Sequence, residues 1–326
     1  MAATVTFPGM DTPVAPCGVG TWAWGDKSTW GMGGYDADLD RGSIRAAFEA
    51  SIQAGVTLFD TAEVYGNGES ERIIGALLAE DPSRRSSLVL ATKFMPYPWM
   101  PLMGTSLRRS LEQSLERLGT DQVDLYQIHG PTSFRPPWVL ADALASAHAD
   151  GLVKAVGVSN YSEREMRAMH KALAESGVPL ASNQIEMSLL RRHPESCGLV
   201  AACRELGVVP LAYSPIGQGR LTGKYSAQHP PPGKRSFSAH PWEKIDAVVT
   251  VLKVIAERHE ATPSQVALAW LIAKGAVPIP GAKNAEQARQ NAACLDVELT
   301  VDDMSALDAV ALDGTRSLQG RVWQHG

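Results

Sequence analysis

The amino-acid sequence predicts an α/β fold in which eight strand–helix units close into a single (β/α)8 TIM barrel. Short runs of apolar and β-branched residues, typical of buried parallel strands, recur at about the length of one strand–helix unit. Only the last interval is about twice as long. No linker or internal repeat divides the chain, so we expect one domain over residues 1–326. The eight runs are residues 18–22, 56–60, 88–92, 123–129, 153–159, 180–185, 208–213 and 277–280.

Apolar spacing and capping sequences predict helices between these runs. Residues 107–118 carry leucines on one helical face. Ser162-x-x-Glu165 and Thr262-Pro-Ser-Gln265 have the spacing of helix capping boxes. The doubled last interval has room for a long loop and for an extra helix near the C-terminus. Residues 5–16 are predicted to form an N-terminal hairpin that covers the bottom of the barrel.

Composition and charge exclude several classes of protein. Hydrophobic residues make up 44% of the chain and charged residues 20%, which is typical of a globular protein with a large core. The formal net charge is −5 and no basic block is present, so a nucleic-acid partner is not expected. The longest apolar run, residues 266–273, is too short for a membrane helix, and no basic residue precedes Lys27 as in a signal sequence. We therefore expect a cytoplasmic protein without a membrane partner or a metal site.

Polar side chains follow several of the predicted strands, where an α/β barrel has its active site. Asp60, Lys93 and His129 end three successive runs, and Tyr65 follows Asp60 closely. Taken singly, these residues also fit a structural ion pair, a core histidine and a loop aromatic. Together they supply a proton donor, a cation beside it, an anion that holds the cation, and a neutral hydrogen-bonding group.

Several motifs follow one another along residues 18–307. The main one is Phe59-Asp-Thr-Ala-Glu-Val-Tyr-Gly-x-Gly-x-Ser-Glu71, and Ala91-Thr-Lys93 and Asp124-Leu-Tyr-Gln-Ile-His129 follow it. In this order, the motifs resemble those of the aldo-keto reductase superfamily. The Gly-Lys-Tyr225 and Pro-Gly-Ala-Lys283 segments are similar to the branch with potassium-channel β subunits and pyridoxal-reductase-like bacterial and plant enzymes. This resemblance implies a bound NADPH or NADP+ and a catalytic tetrad of Asp60, Tyr65, Lys93 and His129.

The resemblance implies a role for each tetrad residue in carbonyl reduction. Tyr65 is expected to donate a proton to the carbonyl oxygen as the general acid, and His129 to orient that oxygen. Lys93 is expected to lower the pKa of Tyr65 below its usual value of about 10, while Asp60 keeps the lysine charged and in place.

The resemblance also implies where cofactor and substrate bind. Ser159, Asn160 and Gln184 would hold the carboxamide, and Tyr213 would stack on the nicotinamide. The start of the last barrel helix would hold the 2′-phosphate, because helix amides favour anions. The other expected cofactor contacts are Thr21, Trp22, Ser214, Pro215, Ile216, Gly217, Lys224, Arg235, Gly281, Lys283, Gln287, Gln290 and Asn291. The expected substrate pocket is lined by aromatic residues, with packing at the barrel rim as the alternative: Trp22, Trp24, Tyr97 and Trp99.

These expectations favour an NADPH-dependent oxidoreductase that reduces an aldehyde or ketone, including a pyridoxal-like one, to the alcohol. A nicotinamide-binding regulatory subunit that senses redox state with slow catalysis is the alternative. A non-catalytic structural barrel is disfavoured by the polar residues at the strand ends. The expected partner is a small carbonyl substrate, and the residues leave the oligomeric state open.

Overall fold

The computed structural model describes residues 4–25, 39–100, 103–231, 239–315 and 323–326. In these ranges eight parallel strands form one sheet whose spatial order follows the chain. Gly20 pairs with Gly281, and its N–H donates to the carbonyl of Pro280 at 3.0 Å, which joins the first strand to the end of the last. The predicted (β/α)8 barrel is confirmed. Its strands are β1 (Gly18–Gly20), β2 (Leu58–Asp60), β3 (Val89–Phe94), β4 (Val123–Ile128), β5 (Val153–Ser159), β6 (Leu180–Glu186), β7 (Val209–Tyr213) and β8 (Val277–Pro278).

The strands are buried on both faces, which explains their near-continuous apolar sequences. Within β4, Leu125 belongs to a cluster inside the barrel, whereas Tyr126 and Ile128 belong to the larger core between the sheet and the helices. The β1 strand is shorter than predicted because a helical turn starts at Trp22. The β8 strand is also shorter than predicted, and it ends at the first of two prolines, which lack an N–H for pairing.

Helices surround the sheet and begin largely where the capping sequences place them. Ser162 with Glu165 and Thr262 with Gln265 form the predicted capping boxes, and Pro263 occupies the first helical turn. The helices in the described ranges are α1 (Trp22–Gly25), α2 (Arg41–Gln53), α3 (Glu69–Glu80), α4 (Met103–Leu118), α5 (Pro137–Ala149), α6 (Glu163–Ala174), α7 (His193–Ser196), α8 (Leu199–Leu206), α9 (Trp242–Arg258), α10 (Pro263–Ala273), α11 (Ala285–Ala292) and α12 (Val301–Val310).

The chain closes the bottom of the barrel with the predicted N-terminal hairpin. Val5 and Val14 exchange two backbone hydrogen bonds of 2.9 Å. Phe7 and Met10, between them, are buried in the same cluster as Leu58 of β2. This hairpin leaves the opposite end, where the strands finish, for the site.

One extra helix, α9, lies between β7 and α10, in agreement with the doubled last interval. A further helix, α12, follows α11 and packs against α9. The predicted long loop contains short 3-10 turns within Gly217–Thr222, interrupted by a kink at Gln218 and Gly219. Among the described residues, no helix has the length and hydropathy needed to span a membrane, and no three His, Cys, Asp or Glu side chains gather as metal ligands do.

Candidate active site

Four side chains from three strand ends and one turn meet at the carboxyl end of the barrel. Asp60 ends β2, Lys93 lies in β3, and His129 directly follows β4. The Lys93 ammonium lies 2.5 Å from Oδ1 of Asp60 and 3.3 Å from the hydroxyl of Tyr65. The rings of Tyr65 and His129 meet edge to face with centroids 5.6 Å apart. The structure therefore brings together all four residues that the sequence singled out.

The Asp60–Lys93 ion pair is buried, and its polar atoms are hydrogen-bonded. Lys93 is fully buried and also donates to the carbonyl of Thr61 at 2.8 Å. The other carboxylate oxygen of Asp60 accepts bonds from Gln184 at 2.8 Å and Gln127 at 3.2 Å. A buried charge pair is tolerated when such additional bonds are present. Gln127 was missed by sequence reasoning, although a polar residue inside an apolar strand is a usable signal.

The electrostatics of Tyr65 differ from the sequence-based expectation. Burial, and secondarily the negative charge of Asp60, raise the pKa of Tyr65 well above its usual value. Burial lowers the pKa of Lys93, while its interactions with Asp60 act in the opposite direction. The expectation that the pKa of Tyr65 lies below its usual value is therefore wrong, because burial and the Asp60 charge raise it. Tyr65 is protonated at neutral pH and suited to donate a proton.

His129 is a neutral imidazole in this site. Burial, followed by the nearby Lys93 charge, holds its pKa well below the usual value. Its Nδ1 is buried and has no hydrogen-bond partner in the described ranges. A neutral imidazole ring can hydrogen-bond to a polar ligand atom without adding charge.

A second group of polar side chains lies behind the tetrad. Glu71 is fully buried, accepts a bond from Thr92 at 2.5 Å, and pairs with Arg117 at 2.6 Å. Thr21 is also fully buried, and its hydroxyl donates to the carbonyl of Asp60 at 2.9 Å. The predicted cofactor contact through Thr21 is therefore wrong for its side chain, because the hydroxyl joins the end of β1 to β2.

The residues predicted to hold a carboxamide lie side by side at the ends of β5, β6 and β7. Ser159 pairs in register with Gln184, and its hydroxyl donates to the carbonyl of Gln184 at 2.9 Å. The Tyr213 hydroxyl donates to Oδ1 of Asn160 at 2.8 Å. Asn160 and Ser214 have φ values of 64° and 50°, a strained region for non-glycine residues that is often found at functional sites.

The segment after β7 and the start of α11 contain the other predicted cofactor contacts. After β7, Pro215 and Gly217 are buried, Ser214 and Ile216 are half-buried, and Lys224 is exposed. Trp22, another predicted contact, is half-buried at the start of α1. The predicted contact Arg235 lies outside the described residues. Asn284 caps α11 by accepting from the Gln287 N–H at 2.9 Å.

The loop before α11 is tied to that helix by two side chains. The Lys283 N–H donates to the Gln287 side chain at 3.0 Å, and Asn291 donates to the carbonyl of Gly281 at 3.2 Å. Gln290 bonds to Glu286 at 2.8 Å. The loop and the first turn of the helix therefore form one braced unit.

The predicted aromatic pocket is only partly supported. Trp24 is 1% exposed, and its indole N–H donates to the carbonyl of Ala282 at 2.7 Å. Its predicted place in the pocket is wrong, because α1 turns the indole into the core. Tyr97 and Trp99 stack on each other with centroids 4.8 Å apart, and Trp99 is 75% exposed.

A parallel barrel with a cluster of ionisable side chains at its strand ends has the layout that is typical of barrel enzymes. Residues 16–312 match the model of the aldo/keto reductase family, and the chain belongs to that family. It is 38% identical to the chloroplastic pyridoxal reductase of Arabidopsis thaliana over 322 residues, covering 95% of this chain and 87% of that protein.

Solved structures agree with this assignment. A glycerol dehydrogenase from Gluconobacter oxydans matches with TM-score 0.80 at 29% identity, over 97% of this chain and 98% of that one. An aldo/keto reductase from Klebsiella pneumoniae, solved in complex with NADP and acetate, matches with TM-score 0.75 at 28% identity, again over 97% and 98% of the two chains. The resemblance to the family that the sequence motifs carry is confirmed.

Proposed function

We propose that this protein is an NADPH-dependent reductase that converts an aldehyde or ketone to the corresponding alcohol. The observation that carries the proposal is the hydroxyl of the half-buried Tyr65, which lies 3.3 Å from the Lys93 ammonium in a site that Asp60 and His129 complete. Hydride from NADPH would reduce the carbonyl carbon. The overall change takes up one proton and yields the alcohol and NADP+.

The four side chains have separate tasks in this proposal. Tyr65 donates its hydroxyl proton to the carbonyl oxygen, and its raised pKa keeps that proton in place until the oxygen becomes basic. The Lys93 ammonium then stabilises the tyrosinate, and Asp60 holds the lysine in position. His129, held neutral, orients the carbonyl oxygen by a hydrogen bond.

The residues at the strand ends fit a nicotinamide cofactor. Ser159, Asn160 and Gln184 provide polar groups for a carboxamide at the ends of the neighbouring strands β5 and β6, and Tyr213 lies beside them at the end of β7. The braced loop of Gly281 and Lys283 at the start of α11 would hold the 2′-phosphate.

We further propose a pyridoxal-like aldehyde as a substrate to be tested. The relative from Arabidopsis thaliana is named a pyridoxal reductase. The stacked pair of Tyr97 and Trp99 offers a flat apolar surface, which suits an aromatic ring. A single domain over residues 1–326 and a cytoplasmic location remain predictions that accompany this proposal.

The first experiment is a screen of NADPH consumption against a panel of carbonyl compounds that includes pyridoxal. Tyr65→Phe should lower the rate of reduction by about 10²–10⁴-fold, because it removes the acid but keeps the ring. Tyr126→Phe is the matched control, since its hydroxyl is buried without a hydrogen-bond partner among the described residues. The control should keep its activity, and both variants should bind NADPH.

Two results would contradict parts of this proposal. A Tyr65→Phe variant with more than about a tenth of the wild-type rate would show that Tyr65 is not the acid. Tight retention of the cofactor with very slow turnover of every carbonyl tested would favour the regulatory, redox-sensing alternative.

A further inference from the structure

Residues 323–326, here called the docked segment, lie across the strand ends of the barrel. Gly326 is buried, and its carbonyl accepts a bond from Arg191 at 2.7 Å. Arg191 is itself buried and lies 3.5 Å from Glu186 at the end of β6. A Cβ at Gly326 would lie 2.7 Å from the carbonyl of Tyr161, so the close approach requires glycine. The segment is therefore held by a specific anchor.

Gln324 connects the docked segment to the proposed carboxamide site. Its amide nitrogen donates to the Tyr213 hydroxyl at 3.0 Å and also bonds to Glu186. The Tyr213 hydroxyl donates in turn to Oδ1 of Asn160 at 2.8 Å, and the amide of Asn160 donates to the backbone carbonyl of His129 at 3.2 Å. Each donor in this chain faces an acceptor, so Gln324 fixes the orientation of Tyr213 and, through it, of Asn160.

His325 adds two bonds from the docked segment to the same edge of the site. Its backbone N–H donates to the carbonyl of Asn160 at 3.1 Å. Its ring nitrogen lies 2.9 Å from the carboxylate of Glu165, in the first turn of α6. Asn160 is thus held from both its side chain and its backbone, which supports its left-handed conformation.

Trp323 lies against the tetrad itself. Its indole meets the His129 ring edge to face, with centroids 5.3 Å apart. A Cβ at Gly130 would lie 2.9 Å from the six-membered ring of Trp323, so the indole occupies space that only glycine leaves open. Trp323 therefore forms a wall beside the residue that we propose to orient the carbonyl oxygen.

From these contacts we infer that the docked segment is a working part of the active site. Gln324 is a positioning residue, which acts on the nicotinamide through Tyr213 and Asn160. Trp323 is a specificity-determining wall of the carbonyl pocket. The inference rests on the proposed function. The segment donates one hydrogen bond to the Tyr213 hydroxyl and another to the Asn160 carbonyl, and Tyr213 and Asn160 are also hydrogen-bonded to each other. This network orders the surface on which the cofactor would bind.

The first test separates cofactor affinity from substrate affinity. Gln324→Ala should weaken NADPH binding, measured by calorimetry, by about five- to tenfold, the effect of one lost hydrogen bond. It should leave KM for the carbonyl nearly unchanged. Gln122→Ala is the matched control, because Gln122 donates to Gly151 at 2.6 Å near the opposite end of the strands. The two variants should have similar thermal unfolding midpoints.

The second test concerns the wall. Trp323→Ala should change KM for bulky carbonyl compounds about tenfold or more, with little change in NADPH affinity. Gly130→Ala should act in the same direction, because the added methyl group displaces the indole. In a protein that already carries Trp323→Ala, the Gly130 change should have no further effect on KM, since the clash is gone.

Specific results would overturn the inference. Tighter NADPH binding after Gln324→Ala, or after deletion of the docked segment, would show that the segment obstructs the cofactor. Equal changes of cofactor affinity and KM in all variants would indicate a general loss of structure. Wild-type protein that binds no NADPH would refute the proposed function together with this inference. Normal wild-type binding that Gln324→Ala leaves unchanged would refute the Gln324 role alone.

Discussion

Replacing Lys93 with methionine tests how the buried ion pair supports both stability and catalysis. Methionine keeps an unbranched side chain of similar length and removes the positive charge. The Asp60 carboxylate would then stay buried with two amide donors, Gln184 at 2.8 Å and Gln127 at 3.2 Å. A buried charge that loses its partner costs about 3–5 kcal/mol of folding free energy. We expect a loss of stability in this range for Lys93→Met.

The double variant Asp60→Asn with Lys93→Met should recover most of that stability. Asparagine keeps the shape of the side chain and removes the uncompensated negative charge. Replacing both members of a buried pair with neutral groups is often close to neutral for stability. The reduction rate should stay low in the double variant, because the cation beside Tyr65 is still missing. The double variant would therefore regain its stability without regaining its activity.

The pH dependence gives an independent measurement on the same variant. In the reduction direction, deprotonation of Tyr65 abolishes the acid and defines the alkaline limb of the rate profile. Loss of the Lys93 cation makes the tyrosinate less favourable, so the pKa of Tyr65 rises further. The alkaline limb of Lys93→Met should move to higher pH.

Chemical denaturation followed by circular dichroism measures the free energy of unfolding, and NADPH oxidation measures the rate at each pH. An equal loss of stability in the single and the double variant would refute the electrostatic explanation. A Lys93→Met protein with a normal rate and an unchanged profile would remove Lys93 from the mechanism.

Two further predictions concern more distant parts of the chain. Lys283→Ala should weaken NADPH binding by roughly 10- to 150-fold and leave NADH binding nearly unchanged, because only NADPH carries the 2′-phosphate; equal losses for both cofactors in calorimetry would contradict this. Asp303→Asn should destabilise the protein by about 1.5–3 kcal/mol at neutral pH, because the buried carboxylate accepts bonds from His259 and Thr300 and pairs with Arg258. These partners lower the pKa of Asp303 to about 2, so its contribution is present above the unfolded-state pKa and is lost as the pH falls toward 2. The difference in stability between wild type and variant should shrink on acidification, and a constant difference would contradict the assignment.

The tetrad could be predicted because three of its residues are ionisable side chains that stand where runs of apolar residues end. In a parallel barrel all strand ends meet on one face, so Asp60, Lys93 and His129 had to lie near one another. The helix starts at Ser162 and Thr262 were predictable for a similar reason, since a capping box is a local pattern.

Other features of the site could not be predicted from the sequence. They depend on the electrostatic environment in the folded protein or on contacts between residues far apart in the chain, which no local sequence pattern encodes. The direction of the Tyr65 pKa shift depends on burial and on the nearby negative charge of Asp60. Trp24 lies close in sequence to β1, but its indole is bonded to Ala282, far along the chain. The docking of Trp323 depends on its contacts with His129 and Gly130, which lie far away in the sequence, and its short segment has no periodicity.

Strand register connects the core of this barrel to its site. Lys93 pairs with Gln127, and Ser159 pairs with Gln184, so these side chains point to the same side of the sheet as their partners. Two residues earlier in β3 and β4, the paired Ala91 and Leu125 point inward and fill the barrel with apolar atoms. The interior is thus apolar at one level and polar at the next level towards the strand ends. A slip of one residue between β3 and β4 would turn Gln127 away from Asp60, so the pairing that folds the barrel also assembles the acid–base group.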